Sequence, residues 1–553
     1  MMAEHEEHSR PQEHAGHQAP GTAPAPKRDE VRPKQEQLHQ MRLLQATLRP
    51  VFEREVNEQR AHDAEAQRLM ETDPKGHIEM MRMPQEHKAL IREIPTQLLR
   101  REAALYQDIE KTRKGEDGVK ELGHGVLMAQ HVLAEHWVHI AVMPLGAWLL
   151  FSPAALAYRS AALAWSDMIS GALVLVFAGL SMARFPWAPW ANALVGLWVA
   201  FAPLAFWAPT PAAYANDTLV GTLITAFSVI IPMRTEMPGP DVPPGWTYNP
   251  STWPQRAPVI ALAALSFFLS RYMASFQLGH IPGAWDPLFG KGTELVLTSD
   301  VSRAFPVSDA GLGAYTYILE LLSAVMGDVR RWRTMPWMVA MFGFVVVPLG
   351  ITSTVLVMLQ PVAVGVWCTI CLVTALFMLV MVAVSLDEIV AMIQYLIIGK
   401  RAGQSAWRLF WIGGTLPQAL QDVGLTRAPG RPRAEMFWGA SFSWPLLLAV
   451  LAGVWVMAAP SVFGTIGPAL TFESVFGALA IVIAFVAWAE VTRALRFANI
   501  LIGLALAVAI WFFPGVSLAA RLNDVIAGVL LISLSLPRGP INDRYGGWNP
   551  FIV

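Results

Sequence analysis

The chain has two cysteines in 553 residues, and they stand together in Trp367-Cys368-Thr369-Ile370-Cys371. At Cys-x-x-Cys spacing on the first turn of a helix, two thiols close a disulfide with little backbone movement. The helix N-terminus also stabilises the thiolate, which is the reactive form. In a soluble protein this spacing reads as a thioredoxin-like site or as half of a zinc site. Zinc takes four ligands, and no second Cys-x-x-Cys completes a set. An apolar run from Leu372 to Val384 follows at once. The pair therefore opens a membrane span, and the chemistry expected is dithiol–disulfide exchange at the bilayer surface.

The elements that must position this pair are helices in lipid. Hydrophobic residues make up 54% of the chain and charged ones 15%, and many apolar runs reach the length of a span. An all-α polytopic membrane protein with about 12 transmembrane helices is expected. A net charge of -1 argues against a nucleic-acid partner, and two cysteines exclude a disulfide framework. The N-terminus lacks the short basic and apolar regions of a secretory signal, so the first spanning helix is expected to do the targeting. Residues 1–34, with His5, His8, His14 and His17, read as a solvated, disordered His-rich tail rather than a metal site. Residues 35–131 read as a cytosolic helical region. Leu38, Met41, Leu44 and Leu48 form a helical stripe there, and Pro50, Pro74, Pro84 and Pro95 divide it into short helices. His124, His131, His136 and His139 gather before the first span. Bis-His haem ligation needs opposed residues on different helices inside the bilayer, so no haem is expected.

From about Val132 the chain repeats itself. Trp137, Gly146, Trp148 and Pro153 recur, shifted by fifty, as Trp187, Gly196, Trp198 and Pro203. Asp167 and Gly171 recur as Asp217 and Gly221. The pattern returns as Trp444, Gly453, Trp455 and Pro460 with Glu473 and Gly477, and a worn copy keeps Gly503, Asp524 and Gly528. Each copy reads as two spans joined by a Pro-marked turn, with Gly allowing close helix approach in lipid. The acids are expected to cap the second helix of each copy rather than to relay protons. The arrangement resembles the Ser-Pro-Trp (SPW) repeat family of integral membrane proteins. Ser443-Trp444-Pro445 and Phe185-Pro186-Trp187 are the nearest matches to its motif.

Between the repeat pairs, assigned to 132–240 and 437–540, lies a different unit. Its spans read Pro258–Gln277, Gly311–Met326, Met338–Leu359 and Pro361–Val384, with a polar loop at 278–310. Arg330-Arg331-Trp332-Arg333 separates its second and third spans, and Lys400, Arg401, Arg408, Arg427, Arg431 and Arg433 follow the fourth, in a cytosolic linker at 401–436. By the positive-inside rule these segments face the cytoplasm. Arg184, Arg493 and Arg496 of the repeats fall on the same side, while the outer turns hold few basic residues, Arg159 and Arg521 among them. Both termini, including the tail 541–553, are then cytoplasmic. The loop 278–310 and the cysteines face outward, where a disulfide persists. A bacterial inner membrane is the expected location.

Four helices, a large outer loop after the first and a Cys-x-x-Cys opening the fourth resemble the vitamin K epoxide reductase family. The similarity covers about residues 255–400, about a quarter of the chain. It is carried by Val301-Ser302-Arg303-Ala304-Phe305-Pro306-Val307-Ser308-Asp309-Ala310-Gly311-Leu312-Gly313 and by Gln360 to Cys371. The resemblance implies a four-helix membrane thiol oxidoreductase that passes electrons from protein thiols to a quinone of the ubiquinone or menaquinone type, with no metal. It assigns Cys371 to the quinone and Cys368 to exchange with an extracytoplasmic thioredoxin-like dithiol protein. Ser308 or Asp309 falls where the family hydrogen-bonds the quinone, with Tyr317 two turns further in. The other reading of Asp309 is a helix cap. Trp367, Phe377 and Met378 are candidates for the pocket wall or for ordinary lipid-facing and core positions, and Thr374 lies beside them. Arg271 and His280, near the outer end of the first helix, are candidates for a quinone oxygen or a thiolate, Arg271 alternatively for lipid headgroups. Two features depart from the family pattern. The loop 278–310 has no cysteine pair, and Ala375 stands where some members carry Tyr. The competing functions are a non-catalytic membrane scaffold with this fold and, more remotely, a repeat-based carrier. The carrier lacks interrupted helices with charged midplane residues.

Overall fold

A computed structural model describes residues 122–230, 240–416 and 432–552, with a few helical positions between 36 and 43. Side chains at the start of the first helix are described from Trp137 onward. The expectations for the His-rich tail, for most of the helical region before residue 122 and for His124, His131 and His136 lie outside the described residues. The chain divides into two compact units, 1–135 and 136–553.

Among its described residues, the second unit is built of helices and the loops between them. Its long helices are α1 (Leu122–Ala155), α2 (Ala161–Met182), α3 (Ala188–Ala205), α4 (Pro211–Ile230), α5 (Trp253–Gln277) and α6 (Asp309–Val325). They continue with α7 (Pro336–Leu359), α8 (Thr369–Arg401), α9 (Trp444–Phe463), α10 (Pro468–Val486), α11 (Ala498–Ala509) and α12 (Leu518–Ser535). Among the described residues, ten helices are long and apolar enough to cross a membrane. The two others are α6, with 17 residues, and α4, which carries Asn216, Asp217, Thr218, Thr222, Thr225 and Ser228. Each lies against a membrane-length partner, α6 on α5 and α4 on α3. The chain is an all-α polytopic membrane protein.

Helices α5, α6, α7 and α8 close a ring, each packing on the next and α8 on α5. This central bundle encloses Tyr317, Phe342, Val346, Met378 and Met381. Helices α9 to α12 close a second ring, and α10 lies against α7 and α8. On the other flank α3 touches α6. Both flanking units use glycine in the way their repeat pattern anticipates. A Cβ on Gly171 would meet the carbonyl of Gly146, one on Gly221 that of Gly196, one on Gly477 that of Gly453, and one on Gly528 that of Gly503. Each pair lets two helices approach backbone to backbone, where dispersion rather than the hydrophobic effect supplies the attraction.

The repeat acids do not cap their helices. Ser160 caps α2 and Ser517 caps α12, each accepting a main-chain N–H. Asp167, Asp217, Glu473 and Asp524 lie about two turns inside their helices and are buried. Asp167 interacts with Asp217, to which Tyr158 donates at 2.7 Å, and Glu473 interacts with Asp524. A parallel hydrogen bond runs in both units, Trp148 to Asn216 at 2.6 Å and Trp455 to Asn523 at 2.7 Å. Serine supplies the starts of α2 and α12, and the acids lie deeper in their helices, Asp167 near Asp217 and Glu473 near Asp524.

At the opposite end of the central bundle from the cysteines, the basic segment folds inward. Arg331, 1% exposed, makes a two-pronged ion pair with Glu388 of α8, both contacts 2.6 Å. Ser251 donates to the same carboxylate. Arg256 donates to the carbonyls of Ser251, Met326, Gly327 and Asp328.

Candidate active site

Cys368 and Cys371 form a disulfide. Cys368 is the N-cap of α8, with its Sγ 3.1 Å from the Cys371 amide. The approach to it is fixed by the end of α7. There a short turn of π-helix, Gln360–Val364, closes on Gly365, which takes a left-handed conformation (φ 78°) that suits glycine. Gln360 Oε1 accepts the Cys368 N–H at 2.9 Å.

The two sulfurs face different surroundings. Cys371 borders a cavity of about 910 Å³ of empty space, its mouth included, between α5, α6, α7 and α8. Its wall is largely apolar, with Met273, Val296, Leu297, Phe305, Leu349 and Leu356, and Met273 Sδ stands 3.7 Å from Cys371 Sγ. Polar groups enter at several points, among them Ser270, Asp309, Tyr317, Ser353, Gln360 and Thr374. Such a lining suits a flat apolar molecule with a few polar atoms.

Cys368 is 0% exposed. The loop between α5 and α6 lies over it. Asp286 of that loop accepts six hydrogen bonds: from the N–H groups of Leu288, Phe289, Thr293 and Thr369 and from the hydroxyls of Thr293 and Thr369. Thr369 is the first residue of α8, so this carboxylate fastens the loop to the start of the redox helix. Burial works against ionisation of Asp286, but the Thr369, Phe289 and Thr293 donors prevail and hold its carboxyl well below the usual carboxylate range. Thr293 Oγ1, which donates to Asp286 at 2.8 Å, also lies 3.5 Å from Cys368 Sγ. The loop that lacks cysteines thus presents a hydroxyl to the first sulfur. The fit is close: a Cβ on Gly292 would collide with the Trp367 carbonyl.

The residues anticipated from sequence divide accordingly. Cys371, Thr374, Tyr317 and Asp309 line the cavity, as does Ala375. Ser308, not Asp309, caps α6, accepting the Gly311 N–H at 2.9 Å. Ser308 lies in the neighbouring groove and donates to Gln277. Asp309, the first residue of the helix, accepts from Ser302 at 2.9 Å and from Gln277. Trp367 does not reach the cavity wall, because it sits in the non-helical turn before Cys368, with its carbonyl against the loop. Met378 is buried in the bundle core, and Phe377 is off the cavity wall. Arg271 serves no site oxygen. Its guanidinium lies 3.0 Å from the Tyr214 ring centroid and donates to Thr218 at 3.0 Å, tying α5 to α4. His280 Nε2 is 2.8 Å from the Ala208 carbonyl. Gln360, Asp286 and Thr293 were not anticipated. The signal for Gln360 was a polar residue between two apolar runs, and intramembrane polar residues merit a functional hypothesis.

Residues 257–386 match the vitamin K epoxide reductase family, and residues 136–231 and 443–537 match the SPW repeat domain. No curated protein and no solved structure matches the chain. The stretch that matches the vitamin K epoxide reductase family is thus flanked on each side by a match to the SPW repeat domain.

Proposed function

We propose that this protein passes electrons from protein thiols, through the Cys368–Cys371 disulfide, to a membrane quinone, and so supports disulfide formation outside the cytoplasm. The observation that carries this is the placement of one sulfur of a disulfide, Cys371, on the wall of an apolar intramembrane cavity. The lining fits a quinone: apolar side chains for the ring faces, and a few polar groups for its carbonyls.

In this reading a donor thiolate attacks Cys368 Sγ, the Cys368–Cys371 bond breaks, and Cys371 leaves as a thiolate facing the cavity. The donor's second thiol attacks the mixed disulfide and frees Cys368. The dithiol then gives two electrons and two protons, the quinone leaves as quinol, and the Cys368–Cys371 bond re-forms. The start of α8 stabilises the thiolates through its N–H groups, the Cys371 amide toward Cys368 first among them. Attack on Cys368 requires that the loop carrying Asp286 and Thr293 move, since it covers that sulfur. The distribution of Arg and Lys supports an outward-facing redox site with cytoplasmic termini.

The covered Cys368 and the loop without cysteines favour a second reading, a membrane scaffold without turnover. One experiment decides between them. The purified protein is reduced, freed of reductant, mixed with a soluble ubiquinone or menaquinone analogue, and alkylated for mass spectrometry. The enzyme re-forms the Cys368–Cys371 disulfide only when quinone is present. Thiols that stay alkylatable with quinone leave the scaffold standing.

A further inference from the structure

We propose that Gln360 is the hydrogen-bond donor to a quinone carbonyl in this cavity, an assignment that rests on the quinone reading above. Gln360 is 2% exposed and lies on the same cavity wall as Cys371. Its amide has a fixed orientation. The Cys368 N–H can only donate, so the atom it meets at 2.9 Å must be the amide oxygen. Exchanging oxygen and nitrogen would place two donors face to face and orphan a buried main-chain N–H.

The NH2 end is therefore turned away from Cys368. It has no protein acceptor among the described residues, yet it is not one of the sealed polar atoms without a partner. Its open side is the cavity. The backbone beneath it is the π-turn Gln360–Val364, fixed by the hydrogen bond from Gly365 N–H to the Gln360 carbonyl at 2.8 Å. A donor so held loses little freedom when a ligand arrives.

A quinone carbonyl only accepts hydrogen bonds. Several hydroxyls on the wall are already committed to protein oxygens: Tyr317 to the Thr374 carbonyl, Thr374 to the Cys371 carbonyl, Ser299 to the Val296 carbonyl and Ser302 to Asp309. Asp309 Oδ1 already accepts from Ser302, Gln277 and the Ala310 N–H. Ser270, Thr352 and Ser353 add hydroxyls to the wall, but the Gln360 amide is the lining side chain that brings N–H donors, and its orientation is fixed by Cys368. It also strengthens its hold as electrons reach the quinone, because negative charge then builds on the carbonyl oxygen. The same side chain holds the N-cap cysteine at one end and the acceptor's carbonyl at the other, which sets the distance between them.

Gln360→Glu tests this directly. It keeps an oxygen for the Cys368 N–H and replaces the free NH2 with an acceptor. Quinone-dependent oxidation of the reduced pair is followed against analogue concentration, and the equilibrium of the pair with glutathione buffers is measured without quinone. Loss of one buried hydrogen bond raises the half-saturating quinone concentration about tenfold, while the glutathione equilibrium stays at the wild-type value. Gln360→Met, of similar length and without the amide, shows the rise too but also strips the Cys368 N–H of its acceptor, so it shifts the glutathione equilibrium and serves only if the glutamate variant fails to fold. Wild-type half-saturation in either variant overturns the assignment and leaves the quinone reading intact. Absence of quinone-dependent oxidation in the wild type overturns both.

Discussion

At the scale of single residues, the difference between the two sulfurs decides how the pair works. Cys371 borders the cavity, and Cys368 is enclosed by the loop and the helix start. A donor that reaches Cys368 in a Cys371→Ser variant forms a mixed disulfide that nothing resolves, since resolution by the partner sulfur has been removed. Cys371→Ser in native membranes is therefore expected to accumulate a crosslinked species on a non-reducing gel, and Cys368→Ser is expected to accumulate none. A crosslink in Cys368→Ser alone reverses the roles of the two cysteines. The Cys-x-x-Cys was legible in the sequence because spacing along a helix start sets the separation of two side chains without help from the rest of the fold. Gln360 was not. Its partner is only eight residues away, but the side chain meets the Cys368 N–H because the chain makes a π-turn there, and periodicity carries no sign of such a turn. Arg271 misled for the opposite reason. Its place near the outer end of α5 is legible, but its direction is set by Tyr214 and Thr218 of α4, which lies in another unit.

At the scale of elements, the loop between α5 and α6 is a cap held by one carboxylate. Asp286 joins the loop's own turn, through Leu288, Phe289 and Thr293, to the first residue of α8. Asp286→Asn keeps the size and loses the charge, and an amide can offer only one oxygen to donors that now meet two. Each buried hydrogen bond contributes about 1 kcal/mol and those to a charged group about twice that. The expected result is faster reduction of the Cys368–Cys371 disulfide by glutathione, by about tenfold or more, with alkylation and mass spectrometry as the measure. An unchanged rate shows that the cap does not limit access. The pH dependence has a definite sign. The folded-state pKa of Asp286 is lowered, so its contribution is complete above the unfolded carboxylate value of about 3.9 and is lost only as pH falls through the lower folded value. The ratio of variant to wild-type rates is accordingly flat between about pH 5 and 8, where the wild-type latch stays ionised. The sequence showed this stretch as a polar outer loop and no more. Loop residues whose partners lie more than 80 positions away, as Thr369 does from Asp286, leave no local pattern.

At the scale of the whole molecule, the redox site occupies one end of the central bundle and a buried charge network the other. The repeats and the four central helices were readable because burial in lipid imposes long apolar runs and because glycine pairs mark close crossings. The acids within the repeats were misread as caps, since a helix start cannot be placed to within two turns from an apolar run alone. The basic segment 330–333 was readable as a topological signal, but not as a core element. Arg331 is enclosed with Glu388, and Tyr248, ahead of α5, donates to the adjacent Asp387 at 2.8 Å. Tyr545 near the C-terminus donates to Glu490 at 2.8 Å, and its ring packs edge-on against Trp246. This end knits the central unit to the segment that follows α12.

Buried pairs of this kind are expensive to break and cheap to replace. Glu388→Gln leaves the Arg331 guanidinium buried without its counter-charge, which costs about 3–5 kcal/mol. The variant is expected to melt well below wild type in detergent. Replacing both partners, Arg331→Met with Glu388→Met, removes the orphaned charge and recovers a large part of that loss. A double variant no more stable than Glu388→Gln shows instead that Arg331 is needed for the carbonyls of Ser323, Ala324 and Met326, to which it donates at 2.6, 3.2 and 3.0 Å, and that the inner end of α6 is held by those bonds. The Cys368–Cys371 pair, at the far end of the bundle, keeps its glutathione equilibrium in every variant that remains folded, because none of these residues touches the π-turn, the loop or the start of α8.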